Sequence, residues 1–396
     1  MPLPLSPAER AFVEEHLSAD PAHLVLQAKK WPGLDVPKLA QQIRARQKAK
    51  SKIPTWVANL DLLFPANLSV EQSSSELTAA YKAALVSGET LVDLTGGFGV
   101  DAYYFARRFK KVVYVEQQTE LAGLAAFNFT QLEVKNITVE ATDAEAFLAT
   151  LEEPVDVLYL DPARRGQSQE RVHLLQDCEP DVLRLLPLLL QKGRAVLLKT
   201  APMLDIDLAL QQLTNVAQAW VIAVQNECKE VLYLLKPEAT GAPLLTAVHL
   251  RPEKPEETLT FTKNGEETAQ VTFSEPQRYL YEPNTALLKA GAYKWLSQEY
   301  GVNKLHRNSH LYTSTELREA FPGRIFEIVA QPKAHAKELH QLLPGKKANI
   351  TVRNYPLTVA QLREKVKLKD GGEDYLFATT DLHNKPILLL CRKAEV

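Results

Sequence analysis

A short glycine-rich segment lies between a predicted strand and a predicted helix. The strand ends at Asp93, and four further candidates follow before the helix begins: Thr95, Gly97, Phe98 and Gly99. Glycines at such a turn let the backbone approach a ligand closely beneath a helix N-terminus. The segment is therefore a candidate binding site for a cofactor.

Two further acidic residues follow the next two predicted strands. Glu116 ends the run VVYVE, where a carboxylate can accept both ribose hydroxyls of an adenosine. Asp143 and Ala144 follow the third strand, where an acceptor can take a hydrogen bond from the adenine amino group. A helix N-cap is the alternative role for Asp143. Together these acids indicate an adenosyl cofactor, which could be a dinucleotide or S-adenosylmethionine.

Asp93 distinguishes between these two cofactors. Gly97, Gly99 and Ala102 satisfy a GxGxxG/A fingerprint, which on its own would fit NAD. A carboxylate just before the glycines would repel a pyrophosphate, whereas it can hold the ammonium group of a methionine moiety, directly or through water. S-adenosylmethionine carries no phosphate, so the pattern favours it.

A candidate reacting end follows the fourth predicted strand. The motif DPARR, residues 161–165, comes directly after VDVLYL, and Asp161, Pro162 and Arg164 are its candidate catalytic residues. Methyl transfer requires an aligned acceptor atom and removal of any acceptor proton, and an aspartate can take that proton or orient the donor. Lys199, at the end of the next strand, and Arg164 are candidates for contacts to phosphate or base oxygens.

The motif also bears on which atom is methylated. Enzymes that methylate exocyclic amino groups of bases typically resemble an Asn-Pro-Pro-aromatic pattern here, from which Asp161 and Arg164 depart. The form DPAR looks closer to the DPPR of base-carbon RNA methyltransferases, but KTAP after the next strand lacks their nucleophilic cysteine. Cys228, in NECKE, is a candidate nucleophile, with an inert cysteine as the alternative. Glu227, Lys229 and Glu230 fit solvent-exposed charges at a turn.

The elements that position these residues form an alternating pattern. Short apolar runs separated by helical patterns begin at Leu91: LVDL, VVYV, ITVE, VDVLYL, AVLLK, WVIAV and VLYLL. This pattern predicts an α/β fold with a seven-stranded, doubly wound, mostly parallel sheet. The last two runs are too close together for a parallel crossover and must form an antiparallel hairpin, with NECKE at its turn. The candidate residues would then meet at the carboxyl edge of the sheet.

The pattern divides the chain into four regions. We predict an N-terminal helical region over 1–75, a cofactor domain over 76–245, a connecting module over 246–322 and an α/β unit over 323–396. The first helix opens at Ser6 and Pro7, and the basic run from Arg44 to Lys52 fits a solvated helix face. The connecting module is expected to contain a β-hairpin around Asn264-Gly265 and a helix over 285–300.

Charge is segregated along the chain. The formal net charge is only -2, which argues against a global basic field that would attract nucleic acid or acidic lipid. The segment from Gly323 onward nevertheless carries 13 Lys and Arg against 8 Asp and Glu. Such a unit fits phosphate contacts, with ordinary surface lysines as the alternative. The candidates are Lys346, Lys347, Arg353, Lys365, Lys367 and Lys369.

Cysteine usage and hydropathy exclude several classes of protein. The three cysteines lack CxxC spacing, which argues against a disulfide framework or a zinc site and suits a reducing cytosol. Charged or polar residues interrupt every apolar run well short of a membrane span. We therefore expect a cytoplasmic protein with no metal, no membrane contact and no obligate protein partner.

The motifs together resemble a known family. EQSSSELTAAYKA, VDLTGGFGVDA, DPARR, KTAPMLDI and NECKE look like the bacterial class I S-adenosylmethionine-dependent methyltransferases that carry a THUMP-like C-terminal domain. YEPNTALLKAGAYKWL looks like the small ferredoxin-like module that precedes it, and KANITVRNYPLTVAQL like the THUMP-like domain. Gln72 and Ser73–Ser75 match a segment that similar enzymes bend over the cofactor, with a helix cap as the alternative.

This resemblance implies a Rossmann-like fold, S-adenosylmethionine as cofactor and RNA as partner, because the THUMP-like domain is related to one that recognises RNA, chiefly tRNA. The leading hypothesis is an enzyme that methylates a base in RNA, with tRNA favoured. The alternatives are a small-molecule or protein methyltransferase, and a non-catalytic RNA-binding protein that retains the cofactor fold.

Overall fold

The computed structural model describes residues 4–65, 71–164 and 175–395. Of Arg164 it describes only the backbone. The chain forms two compact units. The first comprises Met1–Ala219 and Glu230–Gly241, and the second comprises Trp220–Lys229 and Ala242–Val396. The N-terminal helical region therefore belongs to the same unit as the cofactor domain. None of the helices in the described ranges is long and apolar enough to cross a membrane.

The first unit contains helices on both sides of a sheet. Its helices are α1 Pro7–Glu15, α2 Pro21–Leu26, α3 Val36–Ala49, α4 Pro54–Ala58, α5 Glu76–Leu85, α6 Val100–Ala106, α7 Thr119–Gln131, α8 Ala144–Thr150, α9 Val182–Lys192 and α10 Ile206–Gln212. Its strands are β1 Thr90–Asp93, β2 Lys111–Val115, β3 Ile137–Glu140, β4 Val155–Leu160, β5 Ala163–Arg164, β6 Cys178–Glu179, β7 Gly193–Thr200, β8 Val216–Val224 and β9 Glu227–Leu235, of which β8 and β9 run on into the second unit.

The strand order confirms the predicted doubly wound sheet. The seven predicted strands have the order β8-β9-β7-β4-β1-β2-β3, with β1, β2, β3, β4 and β7 parallel and β9 antiparallel to β7. In the described ranges two further strands, Leu244–Leu250 and Glu257–Thr262, extend this sheet beyond β8 to nine strands. The final hairpin turns at Gln225 and Asn226, whose φ angles are 50° and 64°. NECKE is predicted to form the turn, but only its first residue, Asn226, lies there. Its other four residues belong to strand β9, which begins at Glu227.

The N-terminal helices begin as predicted, but their basic run is not wholly exposed. Ser6 caps α1 in a capping box with Glu9, as the Ser-Pro opening predicts. The basic run is not wholly a solvated face, because Arg46 is completely buried. Its guanidinium donates hydrogen bonds to the carbonyl oxygens of Val57 and Leu62, at 2.9 and 2.6 Å. Arg46 thus joins α3 to the end of α4 and to the segment that follows it.

In the second unit, the two C-terminal modules share one sheet. The strands are β10 Leu244–Leu250, β11 Glu257–Thr262, β12 Tyr279–Pro283, β13 Asn303–Lys304, β14 Tyr312–Ser314, β15 Gly323–Ala330, β16 Asn349–Val352, β17 Asp374–Thr380 and β18 Pro386–Lys393. The helices are α11 Lys263–Thr268, α12 Thr285–Ala290, α13 Tyr293–Tyr300, α14 Ala336–Leu342 and α15 Val359–Val366. The sheet order is β13-β14-β12-β15-β18-β17-β16, so strands from either side of residue 322 pair directly.

Two predictions for the connecting module are wrong. Asn264 and Gly265 lie in helix α11 rather than in a hairpin turn, because Thr262 caps this helix and its hydroxyl accepts a hydrogen bond from the Gly265 amide at 3.0 Å. The helix expected over 285–300 is two helices, since Gly291 ends α12 in the left-handed region with a φ of 80°.

Candidate active site

A cavity of about 510 Å³ lies at the carboxyl edge of the first unit's parallel strands. This volume falls within the range of roughly 300–1,000 Å³ that is usual for small-molecule sites. Its walls come from the loops after β1, β2, β3 and β4 and from the segment before α5. The sequence candidates that line it are Thr95, Gly97, Phe98, Gly99, Glu116, Asp143, Ala144 and Asp161.

The glycine segment is shaped by close packing beneath it. A Cβ atom at Gly96 would lie 2.2 Å from the Tyr114 ring, and one at Gly99 would lie 2.7 Å from Phe129. At Gly97 the space is open, with only the Thr95 carbonyl oxygen at 3.8 Å, but the φ of +56° favours glycine. Gly96 and Gly99 thus let the loop pack on the sheet, and Gly97 exposes its backbone to the cavity.

Glu116 holds this loop in place. Its carboxylate accepts hydrogen bonds from the Gly97 amide at 2.9 Å and from the Gln118 amide at 2.8 Å. Each carboxylate oxygen has a second lone pair, so both can also accept from a ligand hydroxyl. Glu116 can therefore orient the loop and bind a ribose simultaneously.

Asp93 is buried behind the cavity wall. One carboxylate oxygen accepts a hydrogen bond from the Thr95 amide at 3.1 Å, and no donor in the described ranges reaches the other. Burial, with the nearby carboxylates of Asp101, Asp161 and Glu116, raises the pKa of Asp93 well above its usual value. A buried acceptor without a donor is costly. Asp93 is not among the residues that line the cavity.

Two predicted cofactor residues also have structural roles. Asp143 is exposed at the rim and caps α8, where its carboxylate accepts a hydrogen bond from the Ala146 amide at 2.8 Å. The Phe98 side chain is buried against Trp56 and Phe64, with ring centroids 5.1 and 5.3 Å apart. Phe98 therefore offers the cavity little more than its backbone.

Asp161 occupies the predicted reacting end. Its amide donates a hydrogen bond to the Thr95 hydroxyl at 2.6 Å, which ties the loops after β1 and β4 together. Its carboxylate lines the cavity and accepts a hydrogen bond from the Lys199 ammonium. Lys199 is 8% exposed and lies outside the cavity lining. In this position Lys199 can fix the Asp161 carboxylate on the side away from the cavity. It is less suited to the predicted contact with phosphate or base oxygens.

The remaining candidates are less informative. Pro162 follows Asp161 but is not among the lining residues. Arg164 lies on the short strand β5, and Arg165, the last residue of DPARR, lies outside the described residues. Cys228 is half-buried on β9 in the second unit and is likewise not among the lining residues. In the described ranges, no group of His, Cys, Asp or Glu is arranged to hold a metal ion.

Sequence reasoning missed a buried charged group beside the cavity. Lys82, on α5, is fully buried, and its ammonium donates hydrogen bonds to the Ser74 hydroxyl at 2.8 Å and to the Glu230 carboxylate at 3.0 Å. Asp101 lies 3.2 Å from the same ammonium. Glu230 is 2% exposed, so the interpretation as a solvent charge is wrong. The available signal was that Lys82 shares a helix face with the buried small residues Ala79 and Ala83.

Nearby opposite charges favour the charged forms of Asp101 and Lys199. Burial alone would raise the pKa of Asp101, but the Lys82 and Lys199 ammonium groups lower it, together with hydrogen bonds from Ser74 and Tyr159. Burial alone would lower the pKa of Lys199, but nearby carboxylates, led by that of Asp161, raise it. Lys199 is therefore a permanent cation against Asp161.

The chain is similar to proteins of known families and to solved structures. A ferredoxin-like family profile matches residues 279–322, and a THUMP domain-like profile matches residues 323–393. The chain is 35% identical to a candidate methyltransferase of known structure from Porphyromonas gingivalis W83, with a TM-score of 0.88 and 98% of each chain covered. No curated protein matches the chain.

More distant structures match about two fifths of the chain. A candidate methyltransferase from Streptococcus mutans in complex with SAH is 14% identical, with a TM-score of 0.31, and covers 41% of this chain and 96% of its own. An rRNA methylase from Streptococcus thermophilus is 16% identical, with a TM-score of 0.29, and covers 40% of this chain and 93% of its own. The identity and coverage of the Porphyromonas protein, with the C-terminal profile match, show that the chain belongs to the class I methyltransferases that carry a THUMP-like C-terminal domain.

Proposed function

We propose that the protein is a cytoplasmic S-adenosylmethionine-dependent methyltransferase that methylates a base in RNA, with tRNA as the favoured substrate. The observation that carries this proposal is a single cavity in which the glycine segment, Glu116 and Asp143 meet Asp161. Its lining includes groups that can hold an adenosyl cofactor and a carboxylate suited to proton removal.

The residues present fit S-adenosylmethionine. Glu116 and Asp143 line the cavity and suit the ribose hydroxyls and the adenine amino group. Asp93 lies behind the wall, and its unpartnered oxygen suits the ammonium group of the methionine part, directly or through water. Gly97 leaves open space where a side chain would obstruct the ligand. When bound, the cofactor would supply an electrophilic methyl group.

Asp161 is the proposed catalytic residue. Its carboxylate can accept a proton from the acceptor atom of the base or orient that atom, while Lys199 fixes one of its oxygens. Thr95 holds the backbone of Asp161 against the glycine segment. The residues that would bind the cofactor and the residue that would receive the proton are thus connected directly.

RNA is the favoured substrate because of the C-terminal module. Four exposed lysines, Lys346, Lys347, Lys367 and Lys369, belong to two loops that pair at one end of this module, and we name them the basic end. The Lys369 amide donates to the Lys346 carbonyl oxygen at 2.8 Å. Arg353 is a further candidate for a phosphate contact, but its guanidinium pairs with the Glu282 carboxylate at 3.1 Å. Clustered, exposed ammonium groups are typical of phosphate contacts.

The experiment uses the full chain and total RNA from a strain that lacks the gene. Incubation with methyl-labelled S-adenosylmethionine should label a nucleoside in RNA, identified by mass spectrometry, and the tRNA fraction should carry the label. Calorimetry should show binding of S-adenosylmethionine but not NAD. Absence of this binding would overturn the proposal. Label that enters a protein or a small molecule instead would favour the alternative substrates, and binding without transfer to any acceptor would favour a non-catalytic role.

A further inference from the structure

The strongest unassigned feature is the buried charged group beside the cavity, which we name the Lys82 cluster. Its members are Lys82, Ser74, Glu230, Asp101, Lys199 and Asp161. Two ammonium groups face three carboxylates, so the cluster carries a formal charge of about -1. Buried ion pairs often stabilise a fold less than apolar residues of the same size would. Their presence beside a catalytic cavity therefore suggests a role in the reaction.

Ser74 is the junction of the cluster. Its hydroxyl donates a hydrogen bond to Asp101 at 2.8 Å and accepts hydrogen bonds from Lys82 at 2.8 Å and Lys199 at 3.3 Å. One donor and two acceptor lone pairs are all that a serine hydroxyl has, so Ser74 is saturated. Ser74 also lines the cavity. Its position is therefore determined by the two lysines together with Asp101.

Lys199 connects the cluster to the proposed catalytic residue. Its ammonium binds Asp161 and Ser74 and lies 4.0 Å from the Glu230 carboxylate. Lys82 binds both Ser74 and Glu230. Each of these two partners of Lys199 is thus held by Lys82, which itself lies outside the cavity lining.

We propose that Lys82 is a positioning residue for methyl transfer: by holding Ser74 and Glu230 it fixes Lys199, and through Lys199 it orients the Asp161 carboxylate toward the acceptor. This inference rests on the proposed function. It assigns Lys82 no contact with substrate or cofactor. Asp161 keeps the catalytic role, and misalignment of Asp161 is what the loss of Lys82 would cause.

The main test is the double variant Lys82→Met with Glu230→Gln. It removes one positive and one negative charge, so the cluster keeps its net charge, and both new side chains are close in size to the originals. We expect the affinity for S-adenosylmethionine in calorimetry to change by less than about 3-fold. The kcat for transfer to RNA should fall by about 10-fold or more with little change in KM, because small misplacements of reacting groups cost about this much.

A second measurement does not depend on activity. Hydrogen exchange at the amides of residues 72–74 should be faster in the double variant than in the unmodified protein, because Ser74 loses the Lys82 hydrogen bond. Exchange in β1 and β4 should be unchanged. Unchanged exchange at residues 72–74 would overturn the positioning role of Lys82, whatever the methyl-transfer assay gave.

Two neighbouring serines supply a matched comparison. Ser74→Ala removes the junction hydroxyl without changing any charge, and its kcat should fall as in the double variant. Ser75 is not among the residues that line the cavity; it is the N-cap of α5, where its hydroxyl accepts a hydrogen bond from the Thr78 amide at 3.1 Å. Ser75→Ala should therefore lower the melting temperature but leave kcat per folded molecule unchanged. Equal kcat values for Ser74→Ala and the unmodified protein would refute the inference. If even the unmodified protein transfers no methyl group, the proposed function fails instead.

Discussion

Asp161 combines exposure to the cavity with a fixed partner. We expect Asp161→Asn to reduce methyl transfer by roughly 100-fold or more, because an amide cannot accept the acceptor proton. The affinity for S-adenosylmethionine should stay nearly constant, since Asn keeps the size of the side chain. Single-turnover transfer and calorimetry measure the two effects. Asp205→Asn, at the N-cap of α10, is the control because Asn also caps helices. A fully active Asp161→Asn would remove this residue from the mechanism.

Gly97 allows a test of the cofactor position. Its φ is +56°, and that of Gly301 in the second unit is +60°, so Leu causes similar backbone strain at both positions. Only Gly97 lines the cavity. We expect both variants to lose about 1–2 kcal/mol of stability, but only Gly97→Leu to lose binding of S-adenosylmethionine in calorimetry. Micromolar binding by Gly97→Leu would move the site elsewhere.

Because Asp93 is buried, we expect the affinity for the cofactor to depend on pH. Burial raises its pKa, so the free protein holds a proton there at pH values where an exposed aspartate is ionised. A bound ammonium group favours the carboxylate, so binding should release up to about one proton, and affinity should rise with pH up to the raised pKa. Calorimetry in buffers of different ionisation enthalpy counts the proton. Asp93→Asn should abolish the release, and an unchanged proton count in that variant would contradict the assignment.

The sequence predicts only some of the individual site residues. Asp161 and Glu116 could be found because each directly follows a strand, and parallel strands bring such positions to one edge. Lys82 and Glu230 could not be paired by such reasoning, because 148 positions separate them along the chain. Arg46 illustrates the same limit, since its burial depends on carbonyl groups that only the folded chain brings together.

The glycine loop joins the parallel sheet to the N-terminal helices through Phe98. Phe98→Ala should destabilise the first unit by about 3–5 kcal/mol, because the ring fills a buried space between Trp56 and Phe64. Affinity for S-adenosylmethionine, corrected for the folded fraction, should change by less than about 3-fold. Urea unfolding and calorimetry distinguish packing from binding. Loss of affinity at unchanged stability would make Phe98 a cofactor residue after all.

Helices and strands could be predicted from the sequence where a single hydrophobic pattern extended over many residues. The alternation of apolar runs and helices determined the doubly wound sheet, and the short spacing after β8 determined its final hairpin. The Asn264-Gly265 hairpin failed because Asn-Gly is only a local turn signal. The structure instead has Thr262 capping a helix, and Glu266 accepts hydrogen bonds from the Lys294 and Trp295 amides. Long-range contacts thus outweighed the turn preference.

At the scale of the whole molecule, the shared C-terminal sheet changes how the second unit can be tested. Truncation near Pro322 looks natural from sequence, since the two family profiles meet between residues 322 and 323. Strand β12, however, pairs with β15, where Leu280 lies opposite Phe326. Glu282 also binds Arg324 and Arg353. Removing residues after 322 would expose these groups, so charge substitutions are the cleaner test of RNA binding.

The basic end provides that test. Changing Lys346, Lys347, Lys367 and Lys369 together to Gln should weaken binding to tRNA and flatten the salt dependence of its affinity. Each phosphate contact releases roughly 0.7–0.9 of a counterion, so the slope should fall by up to about three units if all four lysines neutralise phosphates. Binding of S-adenosylmethionine should be unchanged, because its proposed residues lie in the first unit. A control variant with four exposed lysines of the first unit changed to Gln, Lys29, Lys30, Lys110 and Lys135, has the same net charge. Equal salt slopes for the two variants would show that the basic end makes no specific contact with RNA.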